Sequence, residues 1–113
     1  MKPAKTPLEK VAIEEGGTNV YADLGYADAV EMQRKSQLAA EIARAIKTKG
    51  LTQETAADLL GIDQSKISRI TRGQFHGISE SKLLELVAKL GHDVKIWVGP
   101  IKKKAGKIAL EFA

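Results

Sequence analysis

The sequence predicts a mainly α-helical domain finished by a short C-terminal β element, and three observations carry that expectation. Apolar residues recur at three- and four-residue spacing through most of residues 28–90, and glycines punctuate the runs. Beyond Gly91 the spacing switches to two, with Val94, Ile96 and Val98 alternating with Lys95 and Trp97 until Pro100 breaks the run. The chain is 113 residues long, which suits one domain with additional ends. The expected organisation is an N-terminal arm over 1–27, a helical domain with its terminal strand over 28–98, and a basic tail over 99–113.

Residues 1–19 hold Pro3, Pro7, Gly16-Gly17 and scattered charge, so they read as an extended arm. The more apolar stretch 19–25 (NVYADLG) is expected to pack without forming a long element. Asp28 and Glu31 make a D-x-x-E pattern at the head of a long segment free of Gly and Pro. Leu38, Ile42, Ala45 and Ile46 then predict a helix to Lys49, with Ser36 as a candidate break. Gly50 ends it, and Lys47 and Lys49 suit the negative end of its dipole.

Thr52 is placed to cap a helix over Gln53–Leu60, which Gly61 terminates; Asp63 is placed to cap 64–72, which Gly73 stops. Residues 74–77 (QFHG) read as a loop. Ile78 precedes the N-cap Ser79 and can staple onto Leu83, opening a helix over 80–90. Leu83, Leu86, Val87 and Leu90 give that helix its buried face, and Gly91 closes it. A second alternation, Ile108, Leu110 and Phe112, ends the chain.

Composition excludes several classes of function. With no cysteine, disulfides, thiolate metal sites and thiol catalysis are removed together, consistent with a reducing compartment. No apolar run has the length of a membrane span and the start MKPAKTPLEK lacks a signal-peptide core, so the expected location is the cytoplasm. His76 and His92 have no partner ligands at metal-binding spacing, nothing places a base beside a nucleophile, and Gly16-Gly17 lacks the context of a phosphate loop. Neither enzyme activity, metal nor cofactor is expected.

The net charge of +4 is unevenly spread. Residues 61–77 carry Lys66, Arg69 and Arg72 against Asp63, while residues 99–113 carry Lys102, Lys103, Lys104 and Lys107 against Glu111. Local basic patches of this kind meet anionic polymers, though a solvated face is the plainer reading of charge alone.

The two short helices flanking Gly61-Ile62 sharpen the choice, because they suggest a helix-turn-helix. Ala57 stands where such helices approach most closely, and Gly61 supplies a turn conformation that costs other residues more. Leu60, Ile62, Ile67 and Ile70 are the inward set. Between them on the second helix lie Gln64, Ser65, Lys66, Ser68, Arg69 and Arg72, all polar and none acidic. Such a face suits the major groove: Arg69 can bind guanine O6 and N7, and Gln64 adenine N6 and N7. Thr52, Lys66, Arg72 and the first amides of the helix over Gln53–Leu60 suit phosphates.

The segment from Gln53 to Arg72 (QETAADLLGIDQSKISRITR) resembles the helix-turn-helix of the Cro and lambda-repressor family, also called the Xre family. The pieces NVYADLG, GLTQETAADLLGIDQSKISRITRGQFHGIS and LGHDVKIWV extend the resemblance over roughly 19–98, to a subgroup that includes HigA-type antitoxins. The resemblance implies a lambda-repressor-like bundle and DNA-facing positions at Gln53, Gln64, Ser65, Lys66, Ser68 and Arg69. It also implies a repressor of its own promoter, with a RelE-like toxin as partner, held by the arm or the region around Trp97. The lysine-rich tail lies outside it.

One recognition helix reads few base pairs, so useful specificity calls for two half-sites about 34 Å apart and a homodimer on a palindromic operator. Val94, Ile96 and Val98 offer a strand edge whose pairing with a two-fold mate gives that symmetry. A hairpin with 108–112 is the alternative. Trp97 is either core under the arm or, if exposed, a protein-contact anchor. Lys102–Lys107 can be read as a minor-groove or backbone-binding arm, but a solvated, mobile link is the preferred reading. The alternatives are a standalone or phage-type regulator of the same family without a toxin partner, or a protein-interaction module with no nucleic acid; RNA binding is disfavoured because no aromatic platform for bases is evident.

Overall fold

The computed structural model describes residues 28–113, and everything structural below concerns those residues. They contain four α-helices: α1, Ala29–Thr48; α2, Gln53–Leu60; α3, Gln64–Thr71; and α4, Glu80–Lys89. The arm and the stretch 19–25 lie outside the described residues. The chain divides into two compact units, one of them Lys35–Trp97 with most of α1 and all of α2 to α4. Among the described residues, the other holds 28–34 and 98–113.

Within Lys35–Trp97 the core is aliphatic. Leu38, Ala39, Ile42, Ala45 and Ile46 line one face of α1, and Leu83, Leu86 and Val87 line α4. Ile42, Leu60, Ile67, Leu83 and Leu86 are fully buried, and α2 packs on both α3 and α4. α1 runs unbroken through Ser36, which is half-buried in its middle. At its end Leu51 N donates to Ile46 O at 3.0 Å and Gly50 N to Lys47 O at 3.0 Å, closing two carbonyls of the last turn. Ser79 caps α4 by accepting from Lys82 N at 3.1 Å, and Ile78 and Leu83 are both buried, as a staple requires.

Residues 74–77 form the expected loop, but Phe75 within it is buried. It is a core residue, 3% exposed, between α3 and α4. In a chain with so few aromatics, a Phe flanked by two turn glycines was the available signal. Glu41 is a second surprise. Its carboxylate is 9% exposed yet paired, with the Arg44 guanidinium and with His92 Nε2, the latter at 2.7 Å. Its spacing from Leu38 and Ala45 already placed it on the apolar face of α1. The pair gives His92 a role in the fold: it ties the end of α4 to the middle of α1. No cluster of potential metal ligands occurs among the described residues.

The expected strand over 94–98 is not formed among the described residues, and neither is the alternative hairpin with 108–112. Alternation decides only which side chains share a face; a strand also needs a partner to satisfy its backbone groups. Here Ile96, Trp97 and Val98 are exposed by 81, 83 and 86%, so neighbours on both faces of the run lie open. Trp97 is therefore a surface residue and not core. No helix of the described residues is long and apolar enough to cross a membrane.

Candidate nucleic-acid interface

The local sequence builds α2, the turn and α3 with little freedom. Thr52 Oγ1 accepts from Thr55 N at 3.1 Å, while Thr55 Oγ1 accepts from Thr52 N at 2.9 Å, a reciprocal capping box. The hydroxyl expected to meet phosphate is thus already engaged in starting the helix. The amides of Gln53 and Glu54, in the first turn, have no intrahelical acceptor and face outward on exposed residues. Glu54, in that same turn, sets a carboxylate beside the positive helix end, a local charge the reading of Thr52 and Gln53 left out.

Removing the Thr52 hydroxyl tests its cap role. Thr52→Ala is expected to cost about 0.5–2 kcal/mol of stability, read as a lower denaturant midpoint at unchanged slope. An unchanged midpoint would show that Thr55 holds the turn without it.

Gly61 then turns the chain at φ 70° and ψ 32°, with its N–H donating to Ala57 O at 2.8 Å. A Cβ there meets nothing closer than Lys89 Nζ at 3.9 Å, so the requirement for glycine is backbone conformation and not space. Lys89 Nζ donates to Leu60 O at 3.3 Å, supplying a cation to the C-terminal end of α2. Ala57 is 7% exposed and Ala56 is fully buried, small residues where α2 meets its neighbours.

α3 presents two unlike faces. Ile67 and Ile70 are buried at 0 and 1% exposure, and Ile62 before the helix is half-buried. On the outward side Gln64, Ser65, Arg69 and Arg72 are exposed, and Lys66 and Ser68 are half-exposed. The spacing 65, 68, 69, 72 is one helical face, so these groups converge on one strip. There is no acidic residue within α3.

Asp63 stands at the N-cap with extended backbone, but its side chain makes no capping hydrogen bond, contrary to expectation. Backbone groups do the closing at the other end: Gln74 N donates to Arg69 O at 2.8 Å and Gly73 N to Ile70 O at 2.9 Å. Arg72 Nε donates back to Ser68 O at 3.2 Å, laying that side chain over the end of α3. The structure thus brings Gln64, Ser65, Lys66, Ser68, Arg69 and Arg72 onto one helix, and Thr52 and Gln53 onto the start of the preceding one. Val94, Ile96 and Val98 belong to the exposed, non-helical stretch after α4 and are distant from this strip in sequence.

A helix with a non-acidic, amide-, hydroxyl- and guanidinium-bearing face, backed by a second helix across a tight turn, defines a class of proteins that insert a helix into the DNA major groove. A family of helix-turn-helix domains matches residues 20–99, and the chain belongs to that family. No curated protein and no solved structure matches the chain. Family membership supports DNA binding as its function.

Proposed function

We propose that this protein is a sequence-specific transcriptional repressor of the Xre type that binds a palindromic operator as a homodimer and performs no chemistry. The observation that carries the reading is the exposed strip of α3. Arg69 and Gln64 are exposed on a helix that holds no acidic residue of its own, Asp63 standing just before it, and whose Ile67 and Ile70 face is locked into the core. Arg69 and Gln64 read base edges. Ser65 and Ser68 add shorter polar contacts, and Thr52, Gln53, Lys66 and Arg72 hold the backbone.

Val94, Ile96 and Val98 form the dimer edge in this reading. Their exposure supports it, since a second copy offers both the missing ladder and the missing apolar cover. We further propose that the protein is the antitoxin of a toxin–antitoxin pair, resembling HigA, that represses its own operon in the cytoplasm. That part rests on the resemblance of the sequence from 19 to 98, with Trp97 at 83% exposure as the available protein-contact anchor.

One experiment addresses both parts. A tagged copy is recovered from native extract at moderate salt, the retained DNA is sequenced and the retained proteins are identified by mass. Enrichment of one palindromic site with half-sites about 34 Å apart, together with a small basic RelE-like protein in fixed stoichiometry, is the expected outcome. An enriched palindrome without a protein partner leaves a standalone repressor. Retained protein without any enriched DNA site overturns the repressor reading and leaves an interaction module.

A further inference from the structure

We propose that the lysine-rich bend formed by Lys102, Lys103, Lys104 and Lys107 is a second DNA contact, gripping backbone phosphates outside the recognition helix. The proposal rests on the DNA-binding reading of α3 and adds to it a site of a different kind. Residues 99–113 carry these four lysines against a single acid, Glu111. All four are exposed, and the backbone bends at 103–104, setting them at a turn between two non-helical stretches. Among the described residues none of the four takes part in an ion pair or hydrogen bond. Elsewhere in the described residues, by contrast, Lys82 and Lys89 each stand 3.6 Å from Glu85.

The bend is also tethered beyond the lysines. Arg34 Nη1 donates to Ile108 O at 3.4 Å, and Leu110 is the half-buried residue of the tail. A held bend loses less conformational freedom on meeting a polyanion than a free end does.

The ligand follows from the chemistry. Lysine ammoniums are point charges on flexible stems, suited to a row of phosphates and carrying no base-pair information. Gly106 and Ala105 are the non-lysine residues between 102 and 107 and the segment is not an amphipathic helix; exposed Ile101 and Ile108 flank the lysines, so a lipid surface is the competing ligand that the test separates. The bend is linked to a domain that already docks on DNA. Its contact is therefore intramolecular once α3 is seated, which raises its effective concentration at neighbouring phosphates.

The test is the salt dependence of binding by the full chain to a random-sequence duplex of about 30 base pairs, over a series of KCl concentrations. Each phosphate neutralised contributes about 0.9 to the slope of log K against log salt. Lys102→Gln, Lys103→Gln, Lys104→Gln and Lys107→Gln, introduced together, are expected to make the slope shallower by about 3.6, with arginine at all four positions restoring it. An unchanged slope overturns the proposal. So does loss of binding to phosphatidylserine vesicles alone, which would make a lipid surface the ligand.

Lys66→Ala and Arg69→Ala, measured alongside on the operator duplex, separate the two readings. If they weaken binding while the glutamine variant matches the unaltered chain, α3 binds DNA and the bend does not. If they leave binding unchanged while the glutamine variant loses it, the bend is the contact and the α3 reading fails. All four lysines are surface residues, and unchanged helical circular dichroism confirms that the variant is folded.

Discussion

Arg69→Ala is expected to weaken binding to the operator by about 1–3 kcal/mol at physiological salt, roughly five- to 150-fold, and to relax preference at one base pair. The residue is exposed, so truncation removes no core contact. Its carbonyl, which accepts from Gln74 N at 2.8 Å, is unaffected by the change. Stability and helical content should therefore stay as they are while affinity falls. The measurement is a titration on the recovered operator and on single-base variants of it. Specificity is judged as the ratio to random duplex, because a basic chain binds any DNA at low salt. A uniform loss across all sequences would reassign Arg69 to the backbone, and no loss at all would remove α3 as the reading helix.

Leu60→Ala carries the largest expected effect on stability. Leu60 is fully buried at the end of α2, immediately before the turn and on the helix that packs against both α3 and α4. Truncation deletes buried methyl groups and leaves a cavity, for a cost of about 2–5 kcal/mol. A domain this small has a total stability near the low end of roughly 5–15 kcal/mol, so that loss is a large fraction of it. At about 4–8 °C per kcal/mol, the melting temperature should fall by at least roughly 10 °C. The backbone contact from Lys89 Nζ to Leu60 O survives the change, so the effect isolates packing. Calorimetry showing a fall of only a degree or two would mean that the α2–α3 junction closes around the missing atoms.

The two variants differ because they touch opposite faces of one motif. Arg69 is on the outside, where function can be removed without loss of structure. Leu60 is inside, where the angle between the helices is held, and its truncation should reach DNA binding only through the folded fraction.

Much of this was legible in the chain itself. Thr52, Ser79, Gly61, Gly73 and Gly91 mark the ends of α2, α3 and α4 because caps and left-handed turns act over three or four residues, within reach of local sequence. The inward set Leu38, Ile42, Leu60, Ile67, Ile70, Leu83 and Leu86 follows from helical spacing, since a face that repeats every 3.6 residues can be buried only as a unit. The outward strip of α3 is the complement of that set, and so the candidate interface was readable as well.

Tertiary structure alone decided the rest. Phe75 enters the core from a loop, and Glu41, besides its local pair with Arg44, is paired with His92 just beyond α4, a partner that only the packing of α4 on α1 brings to it. Arg72 folds back on Ser68 O, a choice among rotamers that the sequence does not state. The stretch 94–98 shows the limit most clearly. Its alternation is a strand pattern, yet a ladder is a property of two segments, and among the described residues it forms none. Helices satisfy their own backbone and are written locally; a strand needs a partner segment, which its own alternation does not specify.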